Sequence, residues 1–171
     1  GTEDTTFGAN GMAQIDFDNE RDEALSLKLV NDGVIVSGFA EVNDVRDFAL
    51  AKVDLDGVLD DDFGINGKVS FNASAPFSNN DEIASMNIGF GSLLLAGHSN
   101  DGDQNFTIAR LSLDGDPINA FDGDGLIVLP TGDGNSFATS MQAANGKLYA
   151  LGNADFSSNF ITFSDLSFVC D

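Results

Sequence analysis

Apolar and polar positions along this chain alternate in short runs, and none keeps a helical period. Residues 12–17 (MAQIDF) set Met12, Gln14 and Asp16 on one face and Ala13, Ile15 and Phe17 on the other, the period of two expected of a half-covered strand. Residues 24–30 predict a second strand with Leu25, Leu27 and Leu29 on a common face. Asn31-Asp32-Gly33 signals a hairpin. The run Val34-Ile35-Val36 that follows is continuously apolar, as in strands buried on both faces, and Gly38 closes it. Residues 48–53 predict a fourth strand, with Phe48, Leu50 and Lys52 opposite Ala49, Ala51 and Val53. The acidic stretches 18–23 and 41–47 read as exposed loops.

The same course recurs twice. Phe7, Phe63 and Phe121 correspond, each followed four residues later by a glycine: Gly11, Gly67 and Gly125. SLKLVNDGVIVSG from Ser26 matches SMNIGFGSLLLAG from Ser85 and SMQAANGKLYALG from Ser140. FALAKVDLDG from Phe48 returns as FTIARLSLDG from Phe106 and, decayed, as FITFSDLSFV from Phe160. The junction 54–71, DLDGVLDDDFGINGKVSF, is the complete copy of the unit linking these blocks. Self-similarity of this kind marks a repeat architecture, here one domain, 1–171, with repeats at approximately 4–59, 60–118 and 119–171. The third copy departs at Asp122, where the others have Gly8 and Gly64, at Ser164 in place of Lys52 and Arg110, and at its end, where Ser167-Phe168-Val169-Cys170 replaces Asp-Gly.

An all-β fold follows, in which the three four-stranded repeats are blades of a β-propeller. A β-trefoil, also built from three four-stranded units, is the alternative. The long repeat and the absence of a Gln-x-Trp motif weigh against it. The motifs Phe63-Gly64-x-x-Gly67, Asp32-Gly33, Gly38, residues 47–52 (DFALAK), Asp56-Gly57 and Leu59-Asp60 resemble the delta-60 repeat of bacterial propeller-like proteins. That resemblance covers nearly the whole chain and implies a propeller-type fold and export, with no catalytic residue. If the small-residue strands carrying Ser26, Ser85 and Ser140 lie innermost, the strand after each Phe-Gly is the outermost one of the preceding blade. Residues 12–17 then form an orphan outer strand, and the edge strand at 160–168 lacks a partner. Three blades fall short of the four or more of known propellers, and open edges pair with other chains, so self-association into a homo-oligomer or filament is expected.

Charge narrows the partners. With 28 acidic against 7 basic side chains the net charge is −21, which repels nucleic acid and anionic membrane surfaces. Such acidity suits a solvated surface in extracellular surroundings, or carboxylates gathered for divalent cations. No apolar run approaches the roughly 20 residues of a membrane-spanning helix, so membrane insertion is not expected. The single cysteine, Cys170, rules out an internal disulfide framework. No leader pattern is visible, as in a mature secreted chain.

Candidate chemistry is sparse. Asp54, Asp56 and Asp60 have the oxygen density of a calcium loop, whereas an Asp-Gly hairpin turn explains the same residues without an ion. The matching positions of the second repeat, Ser112, Asp114 and Ile118, drop two of the three carboxylates. His98, the only histidine, reads as exposed decoration, and neither it nor Cys170 sits in a setting that would activate a nucleophile. Tyr149 and exposed phenylalanines could stack on sugars, but tryptophan, the preferred platform for that, is absent. The sequence therefore predicts a non-enzymatic extracellular or cell-surface repeat protein, a structural component that assembles through strand or blade pairing between chains. A calcium-dependent module for glycan or protein is the alternative.

Overall fold

A computed structural model describes residues 1–73, 80–100, 102–129 and 134–154, whose regular structure is all strand, with no helix among them. Ten strands run in chain order: β1 (Asp22–Val30), β2 (Gly33–Val42), β3 (Val45–Asp54), β4 (Lys68–Phe71), β5 (Glu82–Gly89), β6 (Ser92–Asn100), β7 (Gln104–Leu111), β8 (Leu126–Leu129), β9 (Ser136–Ala144) and β10 (Lys147–Ala154). The first sheet has the order β1-β2-β3-β4, the second β5-β6-β7-β8, and β9 pairs with β10, every neighbour antiparallel. Four consecutive strands in one open sheet make the blade of a propeller. The described sheets do not close into a ring.

The phase of the repeat is as expected. β4 follows Phe63-Gly64 and completes the outer edge of the first sheet against β3, and β8 does the same after Phe121. At the other edge lie β1, β5 and β9, the strands of Ser26, Ser85 and Ser140. Each carries or opposes a register shift, at Ala24/Ser26, Ile83/Ser85 and Leu151/Gly152. Glycine is required opposite the shift, because a Cβ on Gly38 would meet the Glu23 carbonyl oxygen at 1.9 Å and one on Gly97 the Glu82 oxygen at 1.8 Å. The bulge turns the serine beside it toward the following sheet.

Two apolar layers hold the sheets together. β5 lies against β1, β2 and β3, and β9 lies against β5, β6 and β7. Ile35, Phe48 and Leu50 of the first sheet, with Phe63 of the corner before β4, meet Ile83, Met86, Leu93 and Leu95 of the second sheet, with Phe71 edge-on to Phe48. The second layer joins Leu94, Phe106, Ile108 and Phe121 to Met141, Leu148 and Ala150.

Local expectations need correcting in four places. Residues 41–47 are not a loop: β2 runs to Val42, β3 starts at Val45, and Asn43 and Asp44 form a two-residue turn at φ 54° and 62°, the left-handed conformations a primed hairpin turn demands. The loop at 18–23 is shorter than expected, since Asp22 and Glu23 already belong to β1. Residues 12–17 are not a strand, although the alternation stands, with Ala13, Ile15 and Phe17 partly covered and Met12, Gln14 and Asp16 exposed. Among the described residues no strand forms a ladder with the segment, which is held instead by the Lys68 ammonium of β4 on the Asp16 carbonyl and by the Phe17 amide donating to Asp22 Oδ2 at the start of β1, at 2.9 Å. His98 is not a loop decoration; it lies within β6, half-buried. The expected strand at 160–168, together with Ser164 and Cys170, lies outside the described residues.

Candidate functional site

The junction residues build turns. Asp54 Oδ1 accepts the amides of Asp56 at 3.0 Å and Val58 at 2.8 Å, while the Asp54 amide donates to the Val58 carbonyl at 2.8 Å. A carboxylate bonded to backbone amides two and four residues on is an Asx-type closure of the Asp-Gly turn. Asp60 turns the other way, with Oδ2 2.6 Å from Lys52 Nζ, and Asp32 meets the same ammonium at 2.9 Å. Lys52 is thereby held above the ordinary lysine range, first by Asp32 and then by Asp60, and it lowers both carboxyls. The Asp56 side chain is exposed, and its carbonyl accepts the Gly8 amide at 2.7 Å. Among the described residues no three His, Cys, Asp or Glu side chains are gathered to hold a metal.

In the second repeat Ile118 replaces Asp60, and the cation changes partner with it. Arg110, in the place of Lys52, donates from Nε to Ser92 Oγ at 2.9 Å.

Contacts between repeats recur in register. Gly8 donates to Asp56, and Gly64 donates to the Asp114 carbonyl at 2.9 Å, so each Phe-Gly corner is tied to the Asp-Gly turn of the next junction. Gly8, Gly64 and Asp122 adopt φ of 55°, 56° and 55°. Asp122 therefore keeps the corner despite its side chain, since Asp visits the left-handed region more readily than most residues. At the inner edge, Ser26 Oγ accepts the Met86 amide at 3.2 Å and Ser85 Oγ accepts the Met141 amide at 3.2 Å. Ser140 is the next in this series and is exposed.

The faces these contacts serve are covered unequally. Met86 is 1 % exposed and Met141 5 %, both beneath the preceding sheet, whereas their counterpart Leu27 is 60 % exposed and Leu29 beside it 73 %. A cavity of about 190 Å³ separates Ala13, Ile15 and Phe17 from Val36, Ala49 and Ala51 on this open face.

A second polar group stands where the inner strands begin. Glu82 of β5 is directly across from His98 of β6. Arg46 lies 3.9 Å from Glu82 and from Glu41, its guanidinium 4.3 Å above the Phe39 ring. Burial pushes the Glu82 carboxyl up, against the pull of Arg46. Burial and then Arg46 push the His98 imidazole down. Sequence reading missed this group because its members come from four strands, β2, β3, β5 and β6, and only the hairpin register brings Glu82 opposite His98.

A family model described as "Domain of unknown function (DUF5122) beta-propeller" matches residues 31–63. The match is consistent with the propeller-blade form of the described sheets. The matched stretch runs from the β1–β2 turn through β2 and β3 to Phe63, the strands and corner described above. It supports propeller blades without supporting the delta-60 assignment in particular. No curated protein and no solved structure matches the chain.

Proposed function

We propose that this chain is a non-enzymatic extracellular structural or surface component of propeller type, which assembles by stacking the blades of one copy on those of another. The delta-60 resemblance belongs to the same reading. The observation that carries it is the exposure of Leu27 and Leu29 at positions the repeat covers elsewhere, where Met86 and Met141 are buried by a preceding sheet. Exposed apolar patches of this kind mark contact surfaces. The matching face is at the other end of the described array, where Ser140, Tyr149 and Leu151 are exposed on β9 and β10. Docking of a second copy would let its Ser140 hydroxyl accept the Leu27 amide, as Ser26 and Ser85 accept Met86 and Met141 within the chain. The contact is heterologous, so it yields a ring where its rotation closes and a filament where it does not.

Sedimentation over a concentration series tests this. The chain should self-associate, and Leu27→Lys with Leu29→Lys should leave folded monomers with unchanged circular dichroism. A wild-type chain that stays monomeric throughout, like the variant, overturns the reading.

A further inference from the structure

Between the second sheet and β9 lies a cavity of about 390 Å³, lined by Glu82, Ala84, His98, Gln104, Phe137 and Thr139. It is separate from the blade faces at the ends of the array. The size falls within the roughly 300–1,000 Å³ of small-molecule sites, and the lining combines polar groups of three kinds with one aromatic wall. Phe137 stands edge-on to His98, ring centres 6.5 Å apart.

The polar side chains lining it are not engaged with one another. Gln104 is anchored by its backbone alone: its amide donates to Asn135 Oδ1 at 3.0 Å and its carbonyl accepts from Ser136 Oγ at 3.4 Å. Its side-chain amide, the His98 imidazole and the Glu82 carboxylate make no side-chain hydrogen bond among the described residues, apart from the 3.9 Å approach of Arg46 to Glu82. These groups are half-buried and line one cavity, so a ligand entering it can take up hydrogen bonds that the protein does not use.

Chemistry selects the ligand class. A carboxylate only accepts hydrogen bonds, a primary amide donates and accepts, and a neutral imidazole does one at each nitrogen. Vicinal hydroxyls, which both donate and accept, satisfy that mixture, whereas an apolar ligand would leave it unpaired. The net charge of −21 disfavours anions. A pyranose fits these demands, with its apolar ring face on Phe137. We propose that this cleft binds a neutral sugar residue through Glu82, His98 and Gln104, with Phe137 as the packing wall and without a cation.

The lone histidine supplies the readout, since its Cε1–H gives a single signal in a carbon-labelled proton–carbon spectrum. Glucose, galactose, mannose and N-acetylglucosamine, each added to about 50 mM, a range that reports millimolar affinity, should include at least one that moves this signal saturably. Glu82→Gln and Gln104→Ala should each weaken that response about tenfold or more in chains that keep the wild-type circular dichroism, and chelator should leave it intact. No saturable shift with any of the four sugars overturns the proposal. So does an equal response in Gln104→Ala, which perturbs no ion pair, or a response confined to a cationic probe such as choline.

Discussion

Asp54 and Ser112 occupy the same place in successive repeats and close the same turn with different chemistry. Asp54 Oδ1 takes the amides of Asp56 and Val58, and Ser112 Oγ takes those of Asp114 at 3.2 Å and Asp116 at 3.1 Å. The turn asks for an acceptor oxygen at this position, not for a charge. Asp54→Ser should therefore change stability by less than about 0.5 kcal/mol, while Asp54→Ala, which strands two amides, should cost about 1–2 kcal/mol. Denaturant titration separates the two.

The same substitution discriminates turn from cation site. If Asp54, Asp56 and Asp60 bind calcium, the ion raises the melting temperature by mass action, and Asp54→Ser removes the rise. With Asp54 committed to two amides and Asp60 to Lys52, the expected rise is small in both chains. A large saturable rise in the wild type alone would establish a calcium site at the junction.

Phe63 and Phe7 are equivalent in sequence and unequal in setting. Phe63 is 1 % exposed within the layer joining the first two sheets, and Phe7 is only partly covered. Phe63→Ala should cost about 3–5 kcal/mol, as large-to-small changes in cores do. Phe7→Ala should cost no more than about 1 kcal/mol, since exposed positions tolerate change. Equal losses would show that the two corners are packed alike.

His98 gives stability a pH dependence of known sign. Burial first, and Arg46 second, hold its folded pKa below the ordinary value, so the unfolded chain binds the proton more readily. The contribution is present in full above about pH 6.5, the unperturbed histidine value, and is lost as the pH falls to the folded pKa. Glu82, which faces His98, is shifted up from the ordinary carboxylate range and acts in a lower window: stability falls as the pH rises through its unfolded value. Melting temperature should thus drop between about pH 7 and 5.5, and His98→Gln should flatten that segment. A slope unchanged in the variant would assign it to other groups.

Much of the fold was legible because this repeat writes its contacts in sequence. The Phe-Gly corners, the paired serines and the glycines opposite the bulges all stand at matching positions, and each makes the same contact wherever both partners are described. The strand at 12–17 was misjudged because alternation reports that one face is covered, not that an edge is paired. Phe17 and Ala73 show the point: each donates its amide to an aspartate where the next strand begins, Asp22 and Asp81, so the tie recurs between repeats while the ladder does not. The loop at 41–47 hid a turn because Asn43-Asp44 lacks the glycine that usually signals one. Glu82, His98, Gln104 and Phe137 share no motif: ladder register sets Glu82 opposite His98, and the packing of β9 brings Phe137 to them.

The serine series separates folding from assembly. Ser85 accepts the Met141 amide inside the chain, so Ser85→Ala leaves that donor without its partner and should cost about 1–3 kcal/mol. Ser26→Ala should act alike through Met86. Ser140 carries no such bond among the described residues, so Ser140→Ala should alter monomer stability by less than about 0.5 kcal/mol. If a second copy docks on Leu27 and Leu29 as its own blades dock internally, the same change should weaken self-association several-fold, with the loss in the dissociation rate, where most interface mutations act. Sedimentation and denaturant titration on the three variants give the comparison. Ser140→Ala associating as well as the wild type would place the contact between copies on another face.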